Sequence, residues 1–167
     1  MRRLYLLAAL AVLAVVVNAA VFAYYPLTVN VAGTTAEVRF ALGSNANQPD
    51  LAGTTIAVTL EGSYNTKATV TIHPTNERTY YRDVLRIENY GVGRTYYAWI
   101  RVVTPITHTA ILSAKLHVKD ASGTTLATID LKQAVVQPPA PGYITIPPAT
   151  SSGGPSPTIT PGRLYID

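Results

Sequence analysis

The chain has 167 residues, of which 48% are hydrophobic, 13% are charged and none is cysteine. That length suits one domain rather than two, and the lack of cysteine excludes disulfide staples, thiol catalysis and cysteine metal sites. The formal charge is +4; setting aside Arg2 and Arg3 leaves eleven basic against nine acidic residues, a near-neutral body with no call for a nucleic-acid partner.

Residues 1–23 read MRRLYLLAALAVLAVVVNAAVFA. Arg2 and Arg3 form a basic head, and Leu4 to Val17 is an unbroken apolar run. Val21 and Ala23 are small enough for the −3 and −1 positions of a signal-peptidase site, so cleavage is expected between Ala23 and Tyr24. The expected protein is secreted and works at the cell surface or in an extracellular filament. It meets the membrane only through the signal segment before cleavage. The competing reading keeps residues 4–23 as an anchoring helix, since Ala19 to Ala23 extend the run toward the roughly 20 residues a span needs.

From Tyr24 to Gln137 the apolar period is two, not 3.6. Tyr25, Leu27, Val29 and Val31 share one face, with Thr28, Asn30 and Ala32 on the other. The same alternation recurs at Val38–Phe40–Leu42, Ile56–Val58–Leu60, Ala68–Val70–Ile72, Leu85–Ile87, Tyr96–Ala98–Ile100–Val102, Leu116–Val118 and 126–131. It marks half-buried antiparallel strands. Turn chemistry separates the runs: the polar stretch Gly43 to Gly53, Glu61 to Asn65, Asn89 to Gly93, and the four-residue candidate Asp120 to Gly123. The expected fold is all-β, an antiparallel β-sandwich of jelly-roll type spanning 34–137. Eight of the twelve prolines fall between Pro138 and Pro161. Residues 138–167 are therefore expected to form an extended, polyproline-like tail, with short strands at Tyr143–Ile146 and Arg163–Ile166.

Catalytic signatures are absent from the pattern. His73, His108 and His117 show no metal-ligand spacing, and His73 and His117 are expected on outward strand faces. The acidic residues stand singly, no G-x-S-x-G elbow occurs, and Gly91-Val92-Gly93 reads as a hairpin turn rather than a phosphate loop. The chain is read as non-enzymatic, with no catalytic residue, cofactor or metal.

Residues 24–33 stand out. Cleavage before Tyr24 leaves a strand-competent segment at a free end, with Pro26 near its start, where a missing N–H is tolerated. It can serve as the first strand of its own fold. It can also complete the sheet of a neighbour, with backbone bonds for affinity and alternate side chains for pockets. Such a head-to-tail contact does not close, and it yields an open filament.

The run Val84-Leu85-Arg86-Ile87-Glu88-Asn89-Tyr90-Gly91, followed by Tyr96-Tyr97-Ala98-Trp99-Ile100-Arg101-Val102, resembles the element of TasA- and camelysin-like biofilm-matrix fibre proteins in which a strand ends in Asn, turns at Gly and continues as an aromatic strand. Archaeal bundling pilins are their relatives. The resemblance spans about residues 18–131. It implies a jelly-roll subunit that polymerises by donor-strand complementation, with Tyr25, Leu27, Val29 and Val31 as the donor. Its partners would be identical subunits and laterally neighbouring filaments. The protease activity described for camelysins does not carry over, because no matching zinc or serine site is present, and the Pro-rich segment departs from the bacterial pattern. Two rivals stand beside this reading. One is a membrane-anchored or type IV pilin-like surface subunit. The other is a carbohydrate-binding module that stacks sugars on Trp99 and its tyrosines.

Overall fold

The computed structural model describes residues 25–30, 37–50, 53, 56–73, 78–134, 136–137, 143–154 and 156–167. The expected signal segment 1–23, the Ala23–Tyr24 boundary and Val31 lie outside them. The described residues contain strands and no helix. In chain order the strands are β1 (Tyr25–Asn30), β2 (Val38–Leu42), β3 (Ala57–Glu61), β4 (Lys67–Ile72), β5 (Leu85–Asn89), β6 (Tyr96–Ala98), β7 (Ile100–Arg101), β8 (Lys115–Lys119) and β9 (Thr125–Asp130). The later ones are β10 (Val136–Gln137), β11 (Ile144–Ile146), β12 (Thr150–Ser151), β13 (Ile159–Thr160) and β14 (Gly162–Ile166).

Every strand pair is antiparallel. One sheet has the order β1-β4-β3 and a larger one the order β2-β5-β14-β8-β9; β7 with β10, β6 with β11 and β12 with β13 form two-stranded pieces. Alternation decides which side chains go inward. Phe40, Leu85, Ile87, Val118, Ile129 and Leu164 of the larger sheet are buried in one cluster with Val58, Ala68 and Val70 of the smaller sheet and Ile144 and Ile146 of β11. Each side chain of this size contributes about 1.5–3 kcal/mol on leaving water.

Two expectations are corrected. The described residues of 138–167 form strands where short ones are expected, at Ile144–Ile146 and Gly162–Ile166, but these belong to the core rather than to a polyproline-like tail. β14 is the middle strand of the larger sheet, hydrogen-bonded to β5 on one side and β8 on the other, with Leu164 and Ile166 buried. The physical reason lies in the sequence. Proline stops at Pro161, so Gly162 to Ile166 can all donate to a ladder, and Leu164 and Ile166 keep period two. The turn after β5 is also not a hairpin, because β6 pairs with β11 rather than with β5. Gly91 to Arg94 carries the chain between two sheets, closed by the Arg94 N–H donating to the Gly91 carbonyl at 3.2 Å. The β8–β9 connection is the hairpin that the sequence predicts. There Asp120 Oδ1 accepts from the Ser122 and Thr124 N–H groups at 2.9 Å each.

Candidate functional site

The N-terminal strand lies on an edge of the smaller sheet, along β4. The register sets Tyr25 opposite Ile72, Leu27 opposite Val70 and Val29 opposite Ala68. Val70 and Ala68 are buried, and across β4 they face Val58 and Leu60 of β3. On the alternate rows Thr28 meets Thr69, which meets Thr59. Thr28 and Thr59 are exposed, so the outer face is a threonine ladder of low charge. Three of the four expected donor residues, Tyr25, Leu27 and Val29, thus stand in one ladder with β4.

The other edge of this sheet is closed at its start by the 44–48 turn. Asn47, at φ 59°, bends the chain back along β3. Its N–H donates to the Ile56 carbonyl at 2.7 Å, its Oδ1 accepts from the Val58 N–H at 3.0 Å, and the Ile56 N–H donates to the Gln48 carbonyl at 2.7 Å. This covers the β3 edge at Ile56 and Val58, where a foreign strand can no longer pair. On its other side β4 presents a six-residue edge, and β1 occupies it over Tyr25–Asn30.

His73, immediately after β4, corrects another expectation. It is buried rather than outward, with Nδ1 2.5 Å from Asp50 Oδ2. Its carbonyl accepts from the Tyr81 hydroxyl at 2.7 Å. Burial first, and the nearby Asp50 charge second, push the Tyr81 phenol upward. The pair anchors the 43–53 loop beside the end of the β4 edge. His117 is half-buried and shares a 2.9 Å hydrogen bond with Thr128 Oγ1. Among the described residues no group of three or more His, Asp or Glu is placed to hold a metal ion.

The Asn–Gly motif turns out to be an internal clamp. Asn89 is fully buried. Its Oδ1 accepts from the Gly91 N–H at 2.8 Å, and its Nδ2 donates to the carbonyls of Arg94 at 2.7 Å and Pro147 at 2.9 Å. A Cβ on Gly91 would sit 2.7 Å from Glu37 Oε2. The Tyr96 hydroxyl donates to Glu37 and Arg94 pairs with it at 2.8 Å. The Tyr96 bond first, then Arg94, hold the Glu37 carboxyl below its ordinary range. One buried amide therefore joins the β5 end, the turn and the Pro-rich segment. Sequence reading saw the motif but not its third partner, Pro147, which is 58 residues away.

Beyond that clamp lie two exposed features. Tyr97 and Trp99 point outward from the β6–β7 segment, and Tyr143 stands beside them at the start of β11; they are 54%, 63% and 38% exposed. The Tyr97 and Tyr143 rings are 4.6 Å apart at 71°, and the Trp99 and Tyr143 rings 6.1 Å apart at 72°. The second feature is the β12–β13 hairpin. Thr150 pairs with Thr160 and Ser151 with Ile159, and the Ser152 N–H donates to the Thr158 carbonyl at 3.0 Å. All of its described residues from Thr150 to Thr160 are exposed.

Comparison of the chain with protein-family models, curated proteins and solved structures finds no match.

Proposed function

We propose that this protein is a secreted, non-enzymatic structural subunit of an extracellular filament. It folds as a jelly-roll-like β-sandwich and polymerises head to tail by donating β1 to the β4 edge of the next copy. The observation that carries the reading is the six-residue β1–β4 ladder at a sheet edge, formed by the first strand among the described residues. The capped β3 edge favours β4 as the acceptor. The resemblance to TasA-like fibre subunits points the same way.

Exchange is energetically inexpensive because it conserves contacts. The same ladder bonds, each about 1 kcal/mol net, and the same rows against Val70 and Ala68 form whether β1 comes from its own body or a neighbour's. What changes is the conformation of Val31 to Ala36, which joins β1 to the body, and the concentration of partners.

The register supplies a direct test. Thr28 and Thr69 are paired across the ladder, and the chain has no cysteine of its own. In Thr28→Cys with Thr69→Cys, oxidation joins β1 to whichever β4 it occupies. Non-reducing gels of assembled material should show a ladder of covalent oligomers that collapses on reduction, and microscopy of the same sample should show filaments. A disulfide-linked monomer alone, from material that forms filaments, overturns the exchange. Intact mass then separates the rivals: subunits starting at Tyr24 support cleavage, whereas retention of Leu4 to Ala23 favours the anchored reading.

A further inference from the structure

We infer that the β12–β13 arm of one copy docks on the aromatic shelf of Tyr97, Trp99 and Tyr143 of a second copy. The contact is separate from strand exchange and stands or falls without it.

Three observations carry it. First, the arm is pre-built. Its base is held by the Ala149 N–H donating to the Gly91 carbonyl at 3.1 Å, and its two strands by the paired bonds between Ser152 and Thr158. A projection already ordered loses little entropy on docking. Second, the chemistry of the two surfaces matches. Thr150 to Pro161 contains no charged residue, and Ile159 is 46% exposed, with Pro157 also in solvent. The shelf offers two ring pairs inclined by about 70°. The rings pack edge to face into one aromatic surface, and such surfaces receive pyrrolidine rings and branched aliphatic chains in proline-rich recognition. Third, the arm does not cover its own shelf. Tyr143 precedes β11 and the arm follows it, so six residues of largely extended chain, roughly 20 Å, separate the two. Both remain exposed within one copy. The contact is therefore made between copies rather than within one.

The single tryptophan is a built-in reporter. The experiment uses full-length chains carrying Thr28→Cys and Thr69→Cys, purified as oxidised monomers so that β1 cannot exchange. The reporter protein adds Pro157→Asp and Ile159→Asp, which spoil its arm and keep Trp99. The titrant adds Trp99→Phe, which silences its emission and keeps its arm. The substituted arm and Trp99 positions are exposed, so the fold tolerates these changes. Trp99 emission should shift saturably as titrant is added. A second titrant carrying Trp99→Phe together with Pro157→Asp and Ile159→Asp should give at least a tenfold weaker response. A flat response to both titrants, or an equal response to both, overturns the proposal. So does a saturable shift with maltohexaose in place of a responding titrant, which would make the shelf a sugar platform.

Discussion

Asn89 carries more of the structure than its size suggests. Replacing it by alanine leaves the Gly91 N–H and the Arg94 and Pro147 carbonyls without their partner in a site closed to water. The expected cost is about 3 kcal/mol, read as a fall of roughly 10 °C in the thermal midpoint. Gly162→Ala should be at least as damaging, because the added Cβ would lie 1.9 Å from the Pro147 carbonyl oxygen. Asp83 sets the acid limit. Burial pushes its carboxyl up, but hydrogen bonds from Arg86 and Ser44 outweigh this and hold it at about 2, against an ordinary 3.8. A carboxyl lowered in the fold stabilises fully above its unfolded value, and the contribution is lost as pH falls through the folded one. About 2 kcal/mol should therefore disappear between roughly pH 4 and pH 2. Asp167 is lowered as well: burial raises it, and Lys119 and Tyr80 more than offset this. It adds to the same acid loss. Denaturant titrations across this range should show the decline. In Asp83→Asn the curve should start lower at pH 7 and fall less.

At the scale of elements, local pattern and distant pairing separate cleanly. Val38 and Phe40, Val58, Ala68 and Val70, Leu85 and Ile87, and Leu116 and Val118 all alternate in sequence and are buried in the structure. Side-chain parity is a property of each strand alone, so these strands were legible. Strand order is not local. Nothing near Arg163-Leu164-Tyr165-Ile166 announces that it fits between β5 and β8, and its Pro-rich approach suggested the opposite. The β1 register was equally hidden. The burial of His73 depends on Asp50, 23 residues earlier, and no periodicity reports that. An element-level prediction follows from the link between β1 and the body. Deleting Gly33 and Thr34 shortens it, and short connections disfavour return to the parent body. The oligomer fraction of the Thr28→Cys, Thr69→Cys protein should rise. An unchanged or lower fraction would show that the link does not govern the exchange.

For the molecule as a whole, the proposed contacts divide the labour of assembly. Exchange of β1 is long and register-specific and would set the filament axis. Arm-to-shelf docking is the smaller contact and would join copies sideways. Repeated along an ordered polymer, the same contact gains effective concentration without any new bond. Trp99→Ala is thus expected to leave filaments intact and to separate any that associate sideways, as seen by negative-stain microscopy. Loss of the filaments themselves would place Trp99 in the axial joint instead.

The position of β14 also governs when the chain can fold. β5 and β8 have no strand between them until residues 162–166 have been synthesised, and those residues lie more than seventy positions after β5. Every shorter nascent chain lacks the middle of its larger sheet, so the β2–β5 pair and the β8–β9 hairpin stay unjoined until these residues emerge.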